Sequence, residues 1–261
     1  MTVSLNSALL EVLRELHLPT VRACYEEEAN RSRRETLSYE QYLFEVMSTE
    51  QETRREHRIA RILRESRLPL EKNLESFDMK RLPVTVAAQV RTLLDGSFLN
   101  RRENLLAFGN PGSGKTHLLC AISQELIHQG RRLYFSPCSL LVQELLIAKR
   151  DLRLSRILKH LSRYDALLID DIGYVQQGRD EMEVLFTLLA ERYERGSVMI
   201  TSNLPFSKWE AIFKDPMTTA AAIDRLVHHS VILELNVQSY RLDVSQKKKS
   251  ERSNLSKEGV S

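Results

Sequence analysis

The chain has 261 residues, room for one full domain and a smaller second one at about 100–200 residues per domain. Apolar residues make up 42% and charged residues 28%, which excludes a chain disordered throughout. The net charge is only +3 and neither domain is basic as a whole, so bulk charge does not mark a nucleic-acid binder and local clusters must carry any such contact.

The first residues, MTVSLNSALLEVLRELHLP, are broken by Glu11, Arg14 and Glu15 and lack the pattern of a signal peptide. Leu5, Leu9, Val12, Leu13 and Leu16 recur at three- and four-residue steps, which predicts a helix with one apolar face, closed by Pro19. A second helix is predicted from about Thr20 to Arg34. Ser38 with Gln41 makes a capping-box pattern, and the helix it starts continues to Pro69. Residues 1–75 therefore read as a small all-helical domain. The connector LPLEKNLESFDMKRLP, with two prolines and little periodicity, marks its end.

From 76 to 243 the pattern changes. NLLAF (104–108), RLYFS (132–136), ALLID (166–170), VMITS (198–202) and VILEL (231–235) are continuous apolar runs between helical stretches, which predicts an α/β domain with a buried parallel sheet. Residues 244–261 form a polar tail, predicted disordered. No window approaches the roughly 18 apolar residues of a membrane span. Cys24, Cys120 and Cys138 are scattered without metal-ligand spacing, as expected of reduced thiols in a cytoplasmic protein.

Gly109-Asn110-Pro111-Gly112-Ser113-Gly114-Lys115-Thr116, followed by His117, matches G-x-x-x-x-G-K-[ST] between a predicted strand and a predicted helix. Its glycines let consecutive backbone N–H groups turn toward the phosphates of a nucleotide. Lys115 reaches phosphate oxygens, Thr116 offers a hydroxyl to Mg²⁺, and the helix adds its positive end. ALLID ends in Asp170 and Asp171 at the strand edge where ligands bind in α/β sheets; Asp170 is expected to hold Mg²⁺ and Asp171 to orient the attacking water. Asn203, after VMITS, is expected to touch the γ-phosphate or that water, the competing role being a cap on the next helix. Arg225, expected just after a helix at 218–224, reads either as an arginine that stabilises γ-phosphate charge from a neighbouring subunit or as one paired with Asp224. His228 and His229 are adjacent and expected to point apart, which argues against a metal there.

The order GNPGSGKTHL, LLIDDIG, ITSNLPFSKWEAIF and AAIDRLVHHSVILEL, behind a helical module and LESFD, resembles the IstB-type ATP-binding proteins of insertion sequences. These are AAA+ ATPases related to the helicase loader DnaC and the initiator DnaA. The resemblance spans about residues 5–243. It implies an ATP-dependent, Mg²⁺-dependent transposition helper that oligomerises on duplex DNA as a ring or spiral, deforms it, and recruits or stimulates a partner transposase. It assigns phosphate and metal binding to Lys115 and Thr116, the acidic pair to Asp170 and Asp171, the sensor to Asn203 and the trans-acting finger to Arg225. Two departures stand out. Asp171 replaces the longer glutamate of many AAA+ enzymes, which implies slow hydrolysis. Only one strand and the polar tail follow Arg225, so the helical C-terminal lid is expected to be absent.

Two stretches are candidates for DNA phosphates. Arg54, Arg58, Arg61 and Arg64 recur at helical steps, although Glu52, Glu56 and Glu65 lace the same segment. Lys149, Arg150 and Arg153, with Arg156 and Lys159, form the most basic run of the second domain, where the DnaA/DnaC clade carries an extra helix. The lysines at 247–249 add a weaker one. A DnaC-like helicase loader and a nucleotide-locked scaffold without catalysis are the competing functions.

Overall fold

A computed structural model describes residues 5–173, 178–209, 216–237 and 239–240. By contacts the chain divides into two units, Met1–Arg61 and Ile62–Ser261.

The first unit holds α1 (Leu5–Glu15), α2 (Pro19–Glu35) and most of α3 (Tyr39–Ser66). The predicted capping box starts α3: Ser38 N–H donates to Gln41 Oε1 at 2.9 Å, and Gln41 N–H to Ser38 Oγ at 3.2 Å. At the start of α2, Leu18 offers no side-chain cap. Glu50 of α3 supplies one, its Oε2 accepting from Thr20 N–H at 2.8 Å and Val21 N–H at 3.1 Å. Glu50 is 2% exposed, and Arg54 Nε donates to its Oε1 at 2.7 Å. Burial by itself pushes this carboxyl up, but the Val21 N–H, the Arg54 guanidinium and the Thr20 N–H outweigh it and hold it below the usual range.

The core of this unit is Leu13, Val21 and Val46, with Leu18, Tyr25 and Tyr42 against it. The predicted apolar stripe of α1 is therefore covered only at Leu13. Leu5 is 88% exposed and Leu16 61%, with Leu9 and Val12 between buried and fully open. The helical period is as expected, but the packing with α2 and α3 reaches the stripe only at Leu13.

In the second unit a 3₁₀ turn (Met79–Arg81), α4 (Val84–Leu93) and α5 (Ser97–Asn100) lead to β1 (Asn104–Gly109). There follow α6 (Lys115–His128), β2 (Leu133–Pro137), α7 (Cys138–Arg150), α8 (Leu154–Leu161), β3 (Ala166–Asp170), α9 (Arg179–Arg192), β4 (Ser197–Ser202), α10 (Pro216–Val227) and β5 (Ser230–Leu235). All five predicted strands form, in one parallel sheet of order β2-β3-β4-β1-β5. Burial on both faces explains the apolar runs of the inner strands β1, β3 and β4, whereas the edge strand β5 carries the exposed Glu234. Of the basic run at 148–160, Lys149 and Arg150 end α7, while Arg156 and Lys159 lie on α8. Cys120 and Cys138 are buried, Cys24 is half-buried, and none is disulfide-bonded; burial pushes the Cys120 thiol up to about 12.

The end of the helix before β5 differs from expectation. Arg225 lies inside α10 rather than after it, because the ladder runs on: His228 N–H donates to Asp224 O at 3.0 Å. The polar tail from 244, with its lysines at 247–249, lies outside the described residues, as does any C-terminal lid. Among the described residues no helix is long and apolar enough to cross a membrane.

The strand starts share one edge of the sheet, where two buried polar side chains join the elements. Asn104 accepts from Val198 N–H at 2.9 Å and donates to Leu226 O at 3.0 Å. Arg192, 3% exposed, donates to Tyr164 O at 2.8 Å, Asp165 O at 3.0 Å and Ser197 O at 2.9 Å. Burial pulls its guanidinium down to about 10, with Asp165 opposing. Gly196 leaves the room: a Cβ there would lie 2.3 Å from Arg192 Nη2.

The Glu50 cap yields a test in melting curves. Glu50→Gln should lower stability at pH 7 by about 1–3 kcal/mol, the range for buried hydrogen bonds to a charged group. Because the folded carboxyl titrates below its ordinary value, the wild-type advantage is full above that value and fades as pH falls through the folded one. The two melting midpoints should converge in acid; a constant gap would show that the charge of Glu50 is not what caps α2.

Candidate active site

The strand ends meet at the opposite edge from Arg192. β4 lies between β1 and β3, so the loop leaving β1 and the acid ending β3 flank it. The chain turns sharply at Gly109, with φ +151, where a Cβ would stand 2.4 Å from Leu235 O; no other residue fits. At Gly112, φ is +80 and a Cβ would meet Ser239 Oγ at 2.1 Å. Residues Asn110 to Gly114 then wrap around the N-terminus of α6, and Leu118 N–H closes its first turn on Gly114 O at 2.8 Å.

Lys115 is 8% exposed, and its Nζ donates to Gly109 O at 2.8 Å and Asn110 O at 2.9 Å. Ser113 Oγ is buried without a partner. A buried ammonium curled into a glycine turn, an orphaned hydroxyl and a helix N-terminus all await negative oxygens, which is the donor set a nucleotide polyphosphate fits. Pro111 and Asn110 are exposed on the outside of the loop.

Thr116 Oγ1 donates to Asp170 Oδ1 at 2.7 Å, so the two residues expected to share a cation are in contact. A hydroxyl beside a carboxylate is a hard-oxygen pair that suits Mg²⁺. Asp171 is exposed and has φ +62, rare for a residue with a side chain. Its N–H donates to Thr201 Oγ1 at 2.8 Å.

Asn203 also lies at this edge. Its Oδ1 is buried without a partner, against Gly173, and its side chain lines a hollow with Gly109 and Asn110. The alternative role as a helix cap is not adopted: Leu204 N–H donates to Ser202 Oγ instead, at 3.1 Å.

Beside the loop lie Phe77, from the LESFD stretch, and three residues that no motif marks. Lys72, Phe77, Arg81 and Tyr240 line a hollow of about 220 Å³ with Gly112, Lys115 and His117. Phe77 meets the His117 ring edge-on, centroids 5.2 Å apart. His117 Nε2 is 3.0 Å from Asn73 O and 3.1 Å from Ser76 Oγ, so the LESFD connector fixes its ring. Tyr240 N–H donates to Gly112 O at 3.0 Å, and the Arg81 guanidinium lies 5.1 Å from the Tyr240 ring centre.

Arg225 is elsewhere. It lines a hollow at the far edge with Asn104, the first residue of β1, whereas the phosphate loop starts after Gly109, its last. At about 3.3 Å per residue the strand separates the two by about 16 Å. The Arg225 guanidinium stacks on Phe186 at 4.6 Å, its Nη1 is buried without a partner, and no ion pair to Asp224 forms. His228 and His229 do not point apart as expected. The rings lie 4.2 Å between centroids, and Glu194 brings a carboxylate within 4.8 Å of their nitrogens. All three are exposed, and Arg101, Arg102 and Arg225 line the adjoining hollow, so the local field opposes a cation there.

The DNA candidates are unevenly placed. Arg54 is committed to Glu50 and to His17 O, while Arg58 and Arg61 are exposed. Lys149 pairs with Glu183 at 2.8 Å, Arg153 with Asp151, and Arg150 is exposed.

Known proteins share this arrangement. The family described as IstB-like ATP binding protein matches residues 11–250. A protein of Sinorhizobium fredii named as an insertion sequence ATP-binding protein is 42% identical over 231 residues, 88% of this chain and 78% of its own. The protein of that kind named for IS5376 in Geobacillus stearothermophilus is 34% identical over 232 residues, 89% and 92% of the two chains. Among solved structures, the DnaC helicase loader superposes with a TM-score of 0.55 at 17% identity, over 64% of this chain and 97% of that one. A replication initiator DnaA bound to AMPPCP and single-stranded DNA does so with a TM-score of 0.55 at 18% identity, over 71% and 56%. Likenesses this distant bear on the fold, an AAA+ P-loop core. With the family match running through both units and the phosphate loop formed at its place, the chain belongs to the IstB-like ATP binding proteins of IS21-type insertion sequences.

Proposed function

We propose that this protein hydrolyses ATP at a site shared between subunits assembled on duplex DNA, deforms that DNA, and so presents it to a partner transposase. The observation that carries the reading is the placement of Arg225 at the sheet edge opposite the phosphate loop. An arginine there lies too far away to serve its own chain's phosphates, which supports a role toward those of a neighbour. Nucleotide binding and assembly then support one another, since each subunit completes the next one's site.

Within the site, Lys115, Ser113 and the loop N–H groups bind and orient the phosphates, and Thr116 with Asp170 holds Mg²⁺. The cation, when bound, neutralises phosphate charge. Asp171 accepts the proton of the attacking water, and Asn203 positions that water or the γ-phosphate with its unpartnered buried oxygen. The carboxylate of an aspartate reaches less far than that of a glutamate, so turnover is slow and ATP acts as a timer of assembly. Arg58, Arg61 and Arg150, exposed and outside the ion pairs that occupy Arg54, Lys149 and Arg153, are the better candidates for phosphates of the duplex.

Lys115→Ala should abolish ATP binding and ATP-dependent assembly on DNA together, read by fluorescent-nucleotide titration and by sedimentation with duplex. Arg225→Ala should bind nucleotide as the wild type does yet lose about 10³-fold or more in turnover, the usual worth of such an arginine. A variant with normal turnover would remove Arg225 from the mechanism. Affinity for duplex should fall linearly with salt on a double logarithmic plot, by a slope of about 0.9 per phosphate contacted and equally for unrelated sequences. A strong preference for one sequence would contradict binding through phosphates.

A further inference from the structure

We propose that Thr201 is the positioning residue of the acidic pair: one hydroxyl on β4 fixes both the Asp170 carboxylate and the left-handed backbone at Asp171. This rests on the reading of Asp170 and Asp171 as metal-holding and water-orienting acids. Thr201 is 1% exposed, on the strand between β1 and β3. Ile169 pairs with Ile200, which brings the next residue of each strand, Asp170 and Thr201, level. Thr201 Oγ1 donates to Asp170 Oδ1 at 2.6 Å and accepts from Asp171 N–H at 2.8 Å. The Thr201 carbonyl accepts from Ile172 N–H at 3.1 Å.

These bonds divide the labour. A hydroxyl has one proton to give, and Thr201 commits it to Asp170, so its lone pairs face the Asp171 N–H. Asp171 sits at φ +62, a conformation that residues with a side chain hold only when their surroundings enforce it. The successive N–H groups of Asp171 and Ile172, both held by Thr201, are that enforcement. Asp170 Oδ1 has a second donor, Thr116, which belongs to the phosphate loop and its helix. The bond from β4 therefore ties the carboxylate to the sheet independently of what the loop does. The same strand runs on to Asn203, so one backbone sets the acid pair and the sensor side chain against Gly173.

Valine matches threonine in shape and removes the hydroxyl, whereas serine keeps it. In the full-length protein with duplex DNA, Thr201→Val should lower turnover about tenfold to a hundredfold, the effect of unmaking two buried hydrogen bonds. Its affinity for a fluorescent ATP analogue in EDTA should stay within about twofold of wild type, because the phosphate loop is untouched. Thr201→Ser should retain turnover even if its melting midpoint drops for want of the methyl group. Wild-type turnover in Thr201→Val, or a Thr201→Ser as impaired as Thr201→Val, would overturn the proposal. Should Thr201→Val not fold, Thr201→Ser decides alone: retained turnover supports the hydroxyl and lost turnover refutes it. If the wild type itself hydrolyses nothing, the proposed function fails separately. The gain in nucleotide affinity on adding Mg²⁺ then reads the clamp: a smaller gain in Thr201→Val supports it, an equal gain overturns it.

Discussion

Because all five strands run the same way, the sheet has two chemically different edges. One receives the strand ends, and with them Gly109, Asp170 and Ser202; the other receives the strand starts, where Asn104 and Ser197 lie. Everything proposed for this protein follows from that polarity. The phosphate loop, the acidic pair and Asn203 gather at the first edge because β1, β4 and β3 are neighbours. Arg225 closes α10 at the second edge because the helix must return there before β5 can begin. A single chain thus carries the phosphate loop and Arg225 at opposite edges of its sheet.

The strands and the loop were legible in the sequence for different reasons. Burial on both faces forces a strand to be apolar throughout, so the runs at 104–108, 166–170 and 198–202 could be read directly. The phosphate loop could be read because its two fixed glycines stand where the backbone has positive φ, +151 at Gly109 and +95 at Gly114, which residues with a side chain rarely adopt. What stayed hidden depends on contacts between segments distant in the chain. Nothing local marks Glu50 as the cap of a helix that begins at Pro19, nor Thr201 as the partner of Asp170. Phe77 and Tyr240 are more than 150 residues apart and meet only at the loop. The run of arginines on α3 was read as one face, yet Arg54 belongs to the packing of its own unit.

Arginine illustrates why charge patterns alone say little here. Arg192 is buried in a cage of carbonyls and holds the strand starts together. Arg225 is stacked on Phe186 with one buried guanidinium nitrogen that has no partner. Arg58 and Arg150 are simply exposed. The same side chain is a buried brace at Arg192, a ring-stacked group at Arg225 and an exposed charge at Arg58 and Arg150, and only its surroundings tell these apart.

The central claim is that one subunit's Arg225 completes another's phosphate loop, and mixing two inactive variants tests it most directly. Lys115→Ala keeps Arg225 and loses the loop; Arg225→Ala keeps the loop and loses the arginine. Combined on duplex DNA, the two should recover ATP turnover that neither shows alone, because wherever the loop of an Arg225→Ala subunit meets the arginine of a Lys115→Ala subunit, one intact loop faces one intact arginine. A mixture as inactive as its components would contradict a shared site.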